Sequence, residues 1–339
     1  MLQLCKSKLL SMIVLLGALT SFSSTATAQS IIKIDGSSTV YPISKVAADW
    51  FQVEKNNTVK VNVDISRSGG GFRKFCRGEI DIVNASRPIL KNEIADCKKS
   101  HVQYVEIPIA YDALTVAVNP KNYWITTLTV AELKKIWEPT AQGKITKWNQ
   151  INPAWPDEAF KLYGANENSG TYDYFTRAVV GKVKSSRSDF TQSANDNILV
   201  ESVAGDKNAL GFFGFAYYIE NQSIVKAIAI NSGLGDILPS VESVENGSYQ
   251  PFSRPIFIYV NIEAAEKPEV KEFVEFYIKN AILLVKEAKF FPLPPSAYRT
   301  MMGHFNKRRV GTVFNGLSAV GLTIDDLIRR EERTEFEHR

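Results

Sequence analysis

The chain has 339 residues, 45% of them hydrophobic and 22% charged. That composition excludes a disordered protein and supplies enough apolar surface for one large core or two medium ones, with two lobes the expected division. A formal charge of +4 is too balanced for a nucleic-acid binder, which carries a strongly basic face.

Residues 1–28 read as a cleavable secretory signal. Lys6 and Lys8 precede an apolar run over 9–22, and small residues follow, ending Ala26-Thr27-Ala28 with cleavage expected before Gln29. The run is about 14 residues, short of the roughly 20 that a spanning helix needs. Cys5 does not sit at the boundary, so no lipid anchor is expected. Loss of the leader removes two lysines and no acid, lowering the formal charge from +4 to +2. Cys76 and Cys97 then remain. In an oxidising compartment they are expected to form a disulfide, the alternative being two buried thiols.

Along the mature chain, 31–34 is a β-rich run. Pro42 stands in the first turn of an amphipathic helix marked by Ile43, Val46, Ala47, Trp50 and Phe51. Val59, Val61, Val63 and Ile65 alternate with polar residues as a strand does. Residues 80–83, 114–118 and 256–260 are also strand-like. Thr129 can cap a helix bearing Val130, Leu133, Ile136 and Trp137. Residues 269–290 predict one further helix and Thr323 begins a last one, after which the charged tail from Arg329 reads as a solvated end. Strands alternating with helices predict an α/β fold with mixed, mainly parallel sheets flanked by helices.

Three strand-to-helix turns share a composition: Gly36-Ser-Ser-Thr39, Ser68-Gly-Gly-Gly71 and Asn168-Ser-Gly-Thr171. The first amides of a helix lack intrahelical acceptors and carry the positive end of its dipole. Glycine lets backbone approach a ligand closely, and hydroxyls add donors without bulk. Each turn alone is ordinary capping chemistry. Three together point to a tetrahedral oxyanion held by all of them.

The phrases Asp35-Gly-Ser-Ser-Thr-Val-Tyr-Pro, Ser66-Arg-Ser-Gly-Gly-Gly-Phe, Gly78-Glu-Ile-Asp-Ile-Val-Asn-Ala-Ser-Arg-Pro, Asn168-Ser-Gly-Thr-Tyr-Asp-Tyr-Phe and Ala204-Gly-Asp-Lys-Asn-Ala-Leu-Gly-Phe-Phe-Gly occur in this order. The chain thereby resembles, over its mature length, the periplasmic phosphate-binding proteins of Pst-type ABC transporters. The resemblance implies a two-lobe type II periplasmic-binding-protein fold with a two-strand hinge near 112–118 and 253–259. Lobe I would comprise 29–114 and 256–339, and lobe II 115–255. It implies inorganic phosphate as ligand, an inner-membrane ABC permease and ATPase complex as partner, a periplasmic monomer and no cofactor. Carried over, the phosphate ligands are Ser38 and Thr39 with the amides of Ser37 and Val40, then Ser68, and then Ser169, Gly170 and Thr171. Two departures stand out. Ser86 occupies the place of the family's acidic acceptor, and Ala165 that of its arginine. A compensating exchange is expected, with Arg87 as the cation and Glu167 as the carboxylate that accepts phosphate's proton, Asp35 and Asp173 ranking behind it.

An enzyme is disfavoured. His101, His304 and His338 lack metal-ligand spacing and read as surface residues, and no nucleophile elbow, Walker A or H-E-x-x-H motif occurs. A secreted phosphomonoesterase, a scavenger or sensor, and a binder of sulfate are the competing readings.

Overall fold

The computed structural model describes residues 29–167, 169–317 and 322–336. The expected leader, Asn168 of the third turn, His338 and the end of the tail lie outside the described residues. β1 (Ser30–Gly36) runs through the first turn into α1 (Tyr41–Glu54), and β2 (Val59–Val63) through the second into α2 (Arg67–Phe75). β3 (Ile82–Ala85) and α3 (Lys91–Lys99) follow, then the long β4 (Tyr104–Val118). The middle of the chain holds β5 (Thr127–Thr129), α4 (Val130–Trp137), β6 (Lys161–Ala165), α5 (Gly170–Val180), β7 (Thr191–Ser193), α6 (Asp196–Gly205), β8 (Ala209–Gly214) and α7 (Phe215–Glu220). The short β9 (Lys226–Ala227), β10 (Ala229–Asn231), β11 (Asp236–Ile237) and α8 (Val241–Glu245) lead to β12 (Ser253–Asn261). Last come α9 (Pro268–Lys279), α10 (Ala281–Glu287), α11 (Pro295–Asn306) and α12 (Ile324–Phe336).

The main sheet has the order β2-β1-β3-β12-β4-β8-β6-β7, with β9 also on β4. Its flanks are parallel, β1 with β2 and β3 on one side and β6 with β7 and β8 on the other. Its centre is antiparallel. Residues 104–113 of β4 pair with β12, while 114–118 pair with β8, so β4 belongs to both flanks. All of β4 is buried, yet Glu106, Pro108 and Asp112 interrupt its apolar run, which is why only 114–118 read as strand from sequence.

Local chemistry explains the helix starts. Thr129 accepts from the Glu132 amide and Glu132 accepts from the Thr129 amide, a reciprocal cap at the expected residue. A disulfide joins Cys76, just past α2, to Cys97 in α3. The glycines of the second turn let α2 lie close on β1, because a Cβ on Gly71 would come within 2.7 Å of the Gly36 Cα. The single helix expected over 269–290 is divided into α9 and α10 by Asn280, whose side chain bonds back to the Phe276 carbonyl.

Two further expectations are corrected at the C-terminus. The tail is not simply solvated, because α12 buries Leu327 and Glu331 one turn apart. His304 is buried as well, beside the Glu331 carboxylate at 3.4 Å and the Arg309 guanidinium. Facing this group from β4, Glu106 accepts from Tyr259 Oη, Thr312 Oγ1 and the Val313 amide. Burial, reinforced by the nearby Glu331 charge, pushes Glu106 up to about 8, and burial raises Glu331 to about 7 despite Arg309. Both values exceed the unfolded ones, so the folded chain binds more protons. Their contribution to stability is complete below about pH 4 and is lost as pH rises through 7 and 8. Denaturant midpoints should therefore fall between pH 5 and 9, with a smaller slope in Glu106→Gln. An identical slope in that variant would contradict the assignment.

Candidate functional site

The three Ser/Gly turns face one another. Each connects a strand to a helix, and the helices α1, α2 and α5 begin at a common seam between the two flanks of the sheet. Two of the cavities that open along it are lined by the turns. The front one, about 770 Å3, is lined among others by Ser37, Ser38, Ser66, Ser68, Ser86, Arg87 and Gly170. The rear one, about 390 Å3, is lined by Ser38, Thr39, Ser169, Gly170 and Thr171, together with Asp112 and Asp196. Ser38 and Gly170 border both, so the first and third turns touch where the cavities meet. A Cβ on Gly170 would stand 1.9 Å from Thr39 Oγ1 and 2.8 Å from the Thr39 amide nitrogen. Only glycine permits that approach.

The expected binding residues differ in how they are engaged. Ser68 Oγ accepts from the Ser86 amide at 3.0 Å and lies 3.2 Å from Ser86 Oγ, which brings Ser86 to the site. Ser169 caps α5 by accepting from the Thr171 amide, Ser37 Oγ accepts likewise from the Thr39 amide, and both keep their hydroxyl protons to donate. The Ser37 amide, expected to bind the ion, already donates to the Asn84 carbonyl at 2.9 Å. Ser38 is half-buried, and its hydroxyl makes no hydrogen bond among the described residues. Val40 lines neither cavity. It is the N-cap residue of α1 and its side chain is fully buried in the core. No acid occupies the first turn of α1 or α2, so two of the three helix dipoles point uncompensated positive ends at the seam.

Of the two members of the expected exchange, the structure brings Arg87 to the site but not Glu167. Arg87 lines the front cavity with its fork closed on Glu93 at 2.7 and 2.8 Å. Glu167 is exposed and lines neither cavity. Asp35 is buried away from the cavities, accepting from Gly36 N and pairing with Lys74. Asp173, one turn into α5, is the acid that lines the front cavity. Its Oδ1 is buried with no hydrogen-bond partner among the described residues, and its Oδ2 lies 3.7 Å from Arg67 Nε. Burial raises its carboxyl despite Arg67, Lys184 and Arg254 nearby. Arg67 holds its backbone at a φ of 65°, a conformation costing about 1–2 kcal/mol outside glycine, while reaching toward α5.

Of the arginines at the seam that were not singled out in the sequence, Arg254 is the most buried. Arg254, on β12, lines the front cavity, donates to Thr39 Oγ1 at 3.4 Å and to Asp112 at 3.0 and 3.2 Å, and stacks 3.6 Å over the Tyr174 ring. A lone arginine within a buried apolar strand was its only signal. Among the described residues no group of three or more His, Cys, Asp or Glu side chains gathers to hold a metal ion. Hydroxyls, first-turn amides, one shielded guanidinium and one unpartnered carboxylate suit recognition of a small protonated oxyanion.

Comparison with known proteins agrees with this geometry. A model of the PBP superfamily domain matches residues 23–281. Protein SphX of Synechocystis is 48% identical over 322 residues, covering 94% of this chain and 95% of that protein. Phosphate-binding protein PstS of Staphylococcus aureus is 34% identical over 275 residues, 80% of each chain. The crystal structure of a possible phosphate-binding protein from Planctomyces limnophilus is similar with a TM-score of 0.77 and 44% identity, over 84% of this chain and all of that one. The fold is the two-flank α/β arrangement of type II periplasmic binding proteins, and PstS is a phosphate-binding protein by name. The chain belongs to the PBP superfamily and, within it, to the PstS-type family of phosphate-binding proteins.

Proposed function

We propose that this chain captures inorganic phosphate at the seam and delivers it to an inner-membrane ABC permease and ATPase complex, acting as an exported, periplasmic monomer. The observation that supports it is the meeting of Ser38, Ser68 and Gly170, from three separate turns, at one cavity. In this reading lobe I comprises 29–114 and 256–339 and lobe II 115–255, with β4 and β12 as the hinge. The contact between Thr39 and Gly170 then belongs to the closed state, which a bound ion favours by bonding to both lobes at once.

Discrimination follows from Asp173. At neutral pH phosphate retains a proton and sulfate does not, so an unpartnered carboxylate oxygen accepts from the first and repels the second. Titration calorimetry with phosphate, sulfate and arsenate tests the reading. Phosphate and arsenate should bind and sulfate should not. Asp173→Asn should weaken phosphate at least tenfold, about 1.4 kcal/mol, and admit sulfate, whereas Glu167→Gln should change neither. The absence of heat with phosphate would sink the function. Normal selectivity in Asp173→Asn would remove only the role given to Asp173.

A further inference from the structure

The front cavity is larger than a single tetrahedral ion requires. Its volume of about 770 Å3 falls in the range, roughly 300–1,000 Å3, of pockets that enclose drug-sized molecules. The Ser and Gly cluster supplies one part of its lining. Much of the remainder is arginine: Arg67, Arg73, Arg87, Arg177 and Arg254 all line it.

These five are not equivalent. Arg87 is matched by Glu93, and Arg254 by Asp112. Among the described residues Arg67 has only the 3.7 Å approach to Asp173. Arg73 on α2 and Arg177 on α5 are exposed and, among the described residues, pair with no carboxylate. They come from opposite flanks of the sheet. Asp173 is the one carboxylate lining the cavity, and only Arg67 approaches it, so Arg73 and Arg177 leave a surplus of two positive charges there. Like charges that line one cleft repel and attract an anion into it. An orthophosphate held at the serine cluster with Arg254 leaves Arg73 and Arg177 without a counter-ion. A second anionic group placed between them removes the repulsion, and guanidinium forks match phosphoryl oxygens in pairs.

Resting on the reading of this seam as a phosphate site, we propose that the cleft also takes condensed phosphate, with one phosphoryl group at Ser38, Ser68 and Gly170 and the next between Arg73 and Arg177. The ligand class is inorganic diphosphate and its longer homologues. No bond is made or broken.

The test is calorimetric titration of the mature chain with orthophosphate and with inorganic diphosphate at one ionic strength, on the parent and on the double variant Arg73→Gln/Arg177→Gln. Both positions are exposed, so the variant is expected to fold, which an unchanged melting temperature verifies. Diphosphate should bind the parent with an affinity no more than tenfold below that of orthophosphate, and should displace it. The double variant should weaken diphosphate at least tenfold and orthophosphate less than twofold. If the parent binds orthophosphate but not diphosphate, the proposal is overturned and phosphate capture stands. Equal weakening of both ligands in the variant also overturns it, because the arginines then act only as a general attractive field. If neither ligand binds, the phosphate reading itself is lost together with the proposal.

Discussion

Gly170→Ala is expected to abolish tight phosphate binding while leaving the protein folded. Alanine is a better helix former than glycine, so at the first position of α5 the substitution does not weaken the helix itself. The obstacle lies across the seam. The new methyl would be placed 1.9 Å from Thr39 Oγ1 and 2.8 Å from the Thr39 amide nitrogen. The hydroxyl can rotate aside, but the amide belongs to the backbone of the first turn and cannot move without displacing the start of α1. The two turns must separate, and an ion that bridges both then loses one set of donors. Affinity for phosphate should fall at least 100-fold, about 2.7 kcal/mol. Small-angle scattering should show the parent in a more compact form with phosphate and the variant unchanged by it. Parent-like affinity in Gly170→Ala would mean that the contact between the first and third turns plays no part in capture.

The contact was half legible in the sequence. Clustered Ser, Thr and Gly at the mouths of α1, α2 and α5 are a local signal, written within four or five consecutive residues, and they marked three of the places where the structure builds its cavities. The pairing of charges was not local. Arg87 finds Glu93 within its own stretch, but nothing in the spacing told this apart from an arginine free to meet a ligand. Arg254 and Asp112 are 142 positions apart and meet only because β12 and β4 are antiparallel neighbours, so neither residue carries a sign of the other. Asp173 sits in a recognisable helix start, where an acid is also ordinary capping chemistry, and so ranks behind Glu167 as a proton acceptor. Its significance comes from an oxygen that burial leaves unpartnered, a property of the assembled seam. The charged tail misled for a related reason. Leu327 and Glu331 share one face of α12, and a single buried carboxylate among many charges does not disturb a polar composition.

Arg254 connects these levels, and its removal should have the second large effect. The guanidinium reaches from β12 against Asp112 on β4, over the ring of Tyr174 of α5 and within reach of Thr39 in the first turn. Truncation to alanine leaves the Asp112 carboxylate buried without its cation, a kind of change that typically costs about 3–5 kcal/mol. Burial already raises Asp112 despite Arg254, so in Arg254→Ala its carboxyl rises further. With the folded value above the unfolded one, the destabilisation should be largest at neutral and alkaline pH and diminish as the solution is acidified. Phosphate affinity should fall at least 100-fold, because Arg254 is the shielded cation beside the three turns. Stability and binding are separated by the double variant Arg254→Ala/Asp112→Asn. Neutralising Asp112 should recover most of the lost stability, read from denaturant midpoints, without recovering phosphate affinity, read by calorimetry. If the double variant binds phosphate as the parent does, Arg254 serves only to neutralise Asp112 at the hinge, and the cation that balances the bound ion must be sought among the other arginines of the front cavity.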